Sequence, residues 1–228
     1  MDHSLAKNRL LPLLMACALA FLPSRATAEA DSYEYGYTAG EHPEEATPAW
    51  KMISAGDPSV RVADGKLQVG VAGGNRALFV IGTFANGVRG DIAAWDMQSG
   101  VATIEFRVRC HSTDPDFHLF RVQFTDGKKS WVVSFTSDTV NRVRLDTSEM
   151  DTYRLAAKDG VVQISSERYG LISKAHKPAS DTDSQCLIFG TQEISGAPAP
   201  RDATGGWELE FIRWTTREAN MEPLGPKR

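Results

Sequence analysis

Hydrophobic and polar residues alternate strictly along several short stretches of the chain. In ATIEFRVRC (102–110), Ala102, Ile104, Phe106, Val108 and Cys110 fall on one side of an extended backbone, and Thr103, Glu105, Arg107 and Arg109 on the other. A period of two is the signature of a half-buried strand. Phe120, Val122 and Phe124 repeat it against Arg121 and Gln123, and Trp131, Val133 and Phe135 against Val132, Ser134 and Thr136. Further strand-like runs are KLQVGV, ALFVIG (77–82), VVQISS, CLIFGT (186–191) and WELEFIRWTT (207–216). Asp64-Gly65, Asp126-Gly127 and Asp159-Gly160 stand between runs, where glycine accepts the positive φ of a tight hairpin. About ten strands emerge in this way, and no stretch holds a 3.6-residue period for three turns. The pattern predicts an all-β sandwich or barrel, with no repeat of propeller or solenoid length.

The first 28 residues follow different rules. Lys7 and Arg9 precede the apolar run LLPLLMACALAFL (10–22), and Ala26-Thr27-Ala28 supplies small residues for cleavage. This predicts a secretory signal over 1–28 and a secreted or periplasmic protein. The run is short for a transmembrane helix, which needs about 20 apolar residues. Lipidation at Cys17 is the weaker alternative, because an apolar segment would then follow the modified cysteine. Residues 29–48, polar and rich in Pro and Glu, read as an N-terminal arm. The folded domain spans 49–217, and 218–228 form a C-terminal tail.

Charge narrows the partners. Cleavage after Ala28 removes Lys7, Arg9, Arg25 and Asp2 from 25 basic and 29 acidic residues, leaving 22 and 28, a formal charge of −6. Nucleic acid, which requires a basic patch, is excluded on this ground. Two cysteines remain after cleavage, Cys110 and Cys186. A disulfide between them would stabilise by about 4 kcal/mol in the chain-entropy model, and two separate buried thiols are the equal alternative. The five histidines show no metal-ligand spacing.

The order PAW (48–50), VADGKLQV (62–69), ATIEFRVRC, FTDGKKSWVVSFTSD (124–138), DTYRL (151–155), LIFGT (187–191) and WELEFIRW (207–214) resembles the concanavalin A-like lectin/glucanase superfamily. The likeness runs from Trp50 to Thr216. In style it is nearest to laminin G-like domains of secreted bacterial proteins, including those attached to sialidase-type enzymes. It implies a jelly roll of two antiparallel sheets, with carbohydrate bound on a concave face or at the loops along its rim.

The glucanases of that superfamily carry Glu-x-Asp-x-(x)-Glu on a strand, the outer glutamates serving as nucleophile and acid/base. Laid on this chain, Glu208 takes the first place and Glu210 the aspartate's, but Phe211, Ile212 and Arg213 follow, so the final carboxylate is missing. Glu208 and Glu210 remain the weak catalytic candidates. No Gly-x-Ser-x-Gly, His-Glu-x-x-His or phosphate-cradling glycine loop occurs. Binding residues are sought on the polar strand faces. Glu105, Arg107, Arg109, Arg121 and Gln123, with Ser134 and Thr136, form one contiguous ladder if their strands are neighbours. Trp95, in DIAAWDMQSG, is the candidate exposed platform for a sugar ring, and Asp91 and Asp96 in the same loop are weak calcium ligands. Three functions stay in view: a non-catalytic module recognising a glycan or polysaccharide, a glycoside hydrolase with an unrecognised carboxylate pair, and a protein-binding module of the cell envelope. No cofactor is required by the first, calcium apart.

Overall fold

The computed structural model describes residues 33–72, 75–84, 87–114, 119–191 and 204–226. The predicted signal at 1–28 lies outside them. Among these residues are two eight-stranded sheets in which every pairing is antiparallel, and a short 3-10 turn at Ile92–Ala94. The chain is an all-β jelly-roll sandwich.

The first sheet runs, edge to edge, through β13 (Gly170–His176), β12 (Val161–Ser166), β11 (Asp151–Lys158), β6 (Ala102–Ser112), β16 (Thr204–Thr215), β4 (Lys66–Ala72) and β3 (Ser59–Ala63). The second runs through β10 (Val143–Arg144), β9 (Thr139–Val140), β8 (Lys129–Phe135), β7 (Phe120–Thr125), β15 (Gln185–Gly190), β5 (Arg76–Thr83) and β2 (Lys51–Ala55), with β14 (Ser180–Asp181) also pairing β8. Sixteen described strands exceed the ten expected chiefly because two-residue pairings such as β9, β10 and β14 are too short to show a period.

The alternation decides the core. Ile104, Phe106 and Val108 of β6 face Phe120, Val122 and Phe124 of β7 and Trp131, Val133 and Phe135 of β8 across the sandwich, all at most 1 % exposed. Phe106 lies between Phe120, Phe135 and Tyr153 with ring centroids 5.7–5.8 Å apart, a spacing at which aromatic pairs add to area burial. Asp64-Gly65 and Asp159-Gly160 both have positive φ at both residues, 53° and 68°, then 53° and 76°, as a two-residue hairpin requires. Asp126 works differently: its carboxylate accepts from the Lys128 and Lys129 amides and closes the turn from the side chain.

The arm at 29–48 is not wholly without strand structure. Its segment Tyr35–Thr38 (β1) pairs with the last third of β16, Tyr35 opposite Trp214. The tail acts as a strap over the outer face of the first sheet. Gln163 Nε2 donates to the Met221 carbonyl, Arg154 to the Glu222 carbonyl, and the Leu224 amide to Ser165 Oγ.

One residue of β16 overturns an expectation. The register against β6 passes from Leu209–Val108 directly to Phe211–Arg107, so Glu210 is the extra residue of a β-bulge. Trp207 and Leu209 point inward before it, and Ile212 and Trp214 after it, all 0 % exposed. Unbroken alternation from Trp207 and Leu209 would put Phe211 in the core and Trp214 on the outer face; the bulge reverses both.

Candidate functional site

The expected single polar ladder does not exist. The chain changes sheets between β6 and β7, so Glu105, Arg107 and Arg109 lie on the outer face of the first sheet, and Arg121, Gln123 and Ser134 on the second. On the first sheet the charges neutralise one another. Glu105, 3 % exposed, accepts from Arg154 at 3.0 Å and from Arg213 and the Tyr33 hydroxyl. Arg107 meets Glu210 at 2.8 Å, and Arg109 meets Glu208 at 2.7 Å.

Trp95 is no platform. It is 2 % exposed, its indole donates to the Thr125 carbonyl at 2.9 Å, and its ring packs 6.2 Å from Phe124. Loop-like sequence hid a core residue. Asp91 caps the 3-10 turn by accepting from the Ala93 amide, while Asp96 accepts from Gln185. Among the described residues no group of three or more His, Cys, Asp or Glu side chains is placed to hold a metal ion.

The disulfide is also corrected. Cys110 points into the core from β6, whereas Cys186 lies on the opposite side of the second sheet, in a small outer cluster with Leu78, Val80 and Ile188. A whole sheet separates the thiols, beyond the span of a disulfide, and both are free. Burial raises the Cys110 thiol, and pushes Cys186 up to about 11 despite the Thr125 hydroxyl and Arg121.

The first sheet has a depression of about 340 Å³ lined by Ser59, Arg61, Gln68, Gly70, His111 and Glu208, among others. Register explains it. Ser59, Gly70, Gly206 and His111 follow one another across β3, β4, β16 and β6, so two glycines in mid-sheet leave a gap in the side-chain layer. The adjacent row is Arg61, Gln68, Glu208 and Arg109. His111 is exposed and its imidazole lies over Gly206, where an added Cβ would come within 3.2 Å of the ring. The wall thus combines hydrogen-bonding side chains with Val69 and Trp207, and has one flat imidazole ring at the end.

Two of those groups are unfinished. Glu208 Oε2 and Arg109 Nε are buried atoms with no hydrogen-bond partner. Burial opposes ionisation of Glu208, but the Arg109 guanidinium and the Lys66 ammonium 3.6 Å away outweigh it and hold the carboxyl below its ordinary value. Glu208 is therefore a fixed anion, with Oε1 on Arg109 and Oε2 facing the Lys66 ammonium. A second depression, of about 450 Å³, is lined by Glu34, Tyr35, Asp96, Gln98 and Arg217 among others. Its Glu34 is already held by Arg217, the Thr215 hydroxyl and the Thr216 amide. Internal satisfaction leaves less there for a ligand.

Of the residues expected from sequence, the first cleft uses Glu208 directly and Arg109 at its border. It adds Ser59, Arg61, Gln68 and His111, which were missed. Gly70 and Gly206 inside strand-like runs were the available signal, since a glycine in a strand interior often marks a close approach.

No protein-family model and no curated protein matches the chain. Solved structures do. The binding domain of botulinum neurotoxin DC, in complex with rat synaptotagmin II, superposes with a TM-score of 0.50 at 11% identity over 76% of this chain and 45% of its own. A Trypanosoma rangeli sialidase in complex with sialic acid gives 0.50 at 10% identity, over 82% and 31%. A structure of botulinum neurotoxin type C, whose cell entry depends on interaction with two ganglioside molecules, gives 0.50 at 11%, over 76% and 44%. The chain shares their β-sandwich fold. It spans less than half the length of each.

Proposed function

We propose that this protein is a non-catalytic carbohydrate-recognition module of concanavalin A-like, laminin G-like type, acting outside the cytoplasm, with the Gly70–Gly206 cleft as its binding site. The observation that carries the reading is the depression over Gly70 and Gly206, which face each other in mid-sheet beside the row Arg61, Gln68, Glu208 and Arg109. Sugar hydroxyls both donate and accept. The Glu208 carboxylate accepts, Gln68 does both, Arg61 and Arg109 donate, and the His111 ring offers a face to the C–H side of a pyranose. The fold shared with a sialidase solved with sialic acid and with a neurotoxin that interacts with gangliosides supports the same class of ligand.

Hydrolysis fits the cleft less well. A retaining glycosidase needs one carboxyl kept protonated by a raised pKa beside a second about 5–5.5 Å away. Glu208 is displaced in the opposite direction, and Arg107 occupies Glu210.

Gly70→Val tests the assignment cleanly. A Cβ at Gly70 meets Ser59 Cβ at 3.5 Å, an ordinary contact, so the side chain enters the cleft without disturbing the strand. On a glycan array the wild-type protein is expected to bind a defined set of sugars and Gly70→Val to lose them at unchanged Tm. Undiminished binding by Gly70→Val, or none by the wild type, refutes the reading.

A further inference from the structure

The second sheet carries a cation with no counter-charge. Arg121 projects from β7 onto the outer face, with Gly190 opposite on β15 and Ser134 on β8. On one side there is no side chain and on the other a single hydroxyl, so neither cross-strand neighbour offers the guanidinium a counter-charge. Its Nε is buried without a partner, and among the described residues no hydrogen bond or ion pair holds the group. The arginines over the core of the first sheet, by contrast, are matched: Arg107, Arg109, Arg154 and Arg213 each meet a carboxylate.

Two further facts point to a ligand. Arg76 of β5 also projects on this face and stands near enough to add its positive field, and burial together with Arg76 drives Arg121 down to about 10. The Cys186 thiol could answer the charge only if ionised, and at about 11 it stays neutral at pH 7. Desolvating a cation beside a second cation is costly unless an anion completes the site.

We propose that Arg121 and Arg76, with Gly190 and the Ser134 hydroxyl flanking Arg121 across the sheet, bind the carboxylate of an acidic sugar. Guanidinium groups suit this because their planar fork meets a carboxylate with two parallel hydrogen bonds. The anion site stands on its own geometry, on the sheet opposite the cleft; that a sugar carries the anion rests on the carbohydrate reading above.

Glucuronic acid, 3′-sialyllactose, lactose, acetate and sulfate are titrated into wild type, Arg121→Gln, Arg76→Gln and Gly70→Val, with calorimetry and arginine Nε–H NMR signals as readouts. Glucuronic acid and sialyllactose are expected to bind the wild type, at least tenfold more weakly in Arg121→Gln and several-fold more weakly in Arg76→Gln. Gly70→Val should leave the response of the Arg121 signal intact. Arg121→Gln should be as stable as wild type or more so, since it removes an uncompensated charge. Four results overturn the proposal: no Arg121 response to either acidic sugar, undiminished binding by Arg121→Gln, equal binding of sulfate, acetate and the sugars, or a marked loss of stability in Arg121→Gln. A lost lactose response in Gly70→Val with the Arg121 response unaltered keeps the two sites distinct. Failure at Arg121 alone leaves the cleft untouched.

Discussion

Deleting Glu210 should unfold this protein, although replacing it should scarcely matter. Glu210 is the extra residue that lets β16 keep Trp207 and Leu209 inward on one side and Ile212 and Trp214 inward on the other. Without it the strand has one parity. Either Ile212 and Trp214 turn to solvent and the Arg213 side turns to the core, or the upstream pair is expelled instead. Burying one such side chain is worth about 2–3 kcal/mol, so losing two costs about 5 kcal/mol. Forcing Arg213 inward adds several more. Register with β1, where Tyr35 opposes Trp214, is lost too. Against a typical total of about 5–15 kcal/mol, no stable fold is left. Glu210→Ala keeps the bulge and removes only the half-exposed pair with Arg107, worth about 0.5–1 kcal/mol. Urea unfolding followed by tryptophan fluorescence compares the two. A deletion variant unfolding cooperatively within about 1 kcal/mol of Glu210→Ala would refute the assignment of the bulge.

Three other outcomes follow from the same structure. Glu208 has a lowered pKa when folded, so its stabilisation is complete above its ordinary value of 4.5 and fades as pH falls through the lower folded value. Glu208→Gln should cost about 1–2 kcal/mol at pH 7, and urea midpoints at pH 7 and pH 3 should show the gap closing at the acid end; a gap that widens contradicts the sign. Glu105→Ala removes the carboxylate facing Arg154, whose side chain is only 11% exposed, and should cost about 3 kcal/mol in chemical denaturation; a loss under 1 kcal/mol would mean the pair is solvated. Cys110 and Cys186 should resist a thiol reagent in the native state and react together once unfolded without reductant; their absence after unfolding would reveal a disulfide.

The fold was legible because burial imposes it locally. Each of β6, β7 and β8 declares its buried face by alternation alone, and the Asp-Gly turns declare its ends. What period two cannot show is which sheet a strand joins. The crossing between β6 and β7 is a matter of topology, and it split the ladder of Arg109 and Arg121 into two unrelated faces. A bulge is equally silent, being one residue that leaves composition unchanged while inverting the rest of β16. Trp95 misled for another reason: a segment without period can still be folded over the sandwich and pinned there by one indole hydrogen bond. The cleft was half visible. Glu208 and Arg109 stood out as charges, whereas Gly70 and Gly206 make the site by lacking side chains, and their alignment depends on register across three strands.

The central claim is that a sugar occupies the Gly70–Gly206 cleft. Titration of the purified protein with a glycan selected by array, followed by the His111 imidazole resonances, tests it most directly. The account predicts a saturable shift of the His111 signals with the Trp95 indole unmoved, and no shift in Gly70→Val. A bound glycan that leaves His111 unchanged, or that perturbs Gly70→Val as it perturbs wild type, would contradict it.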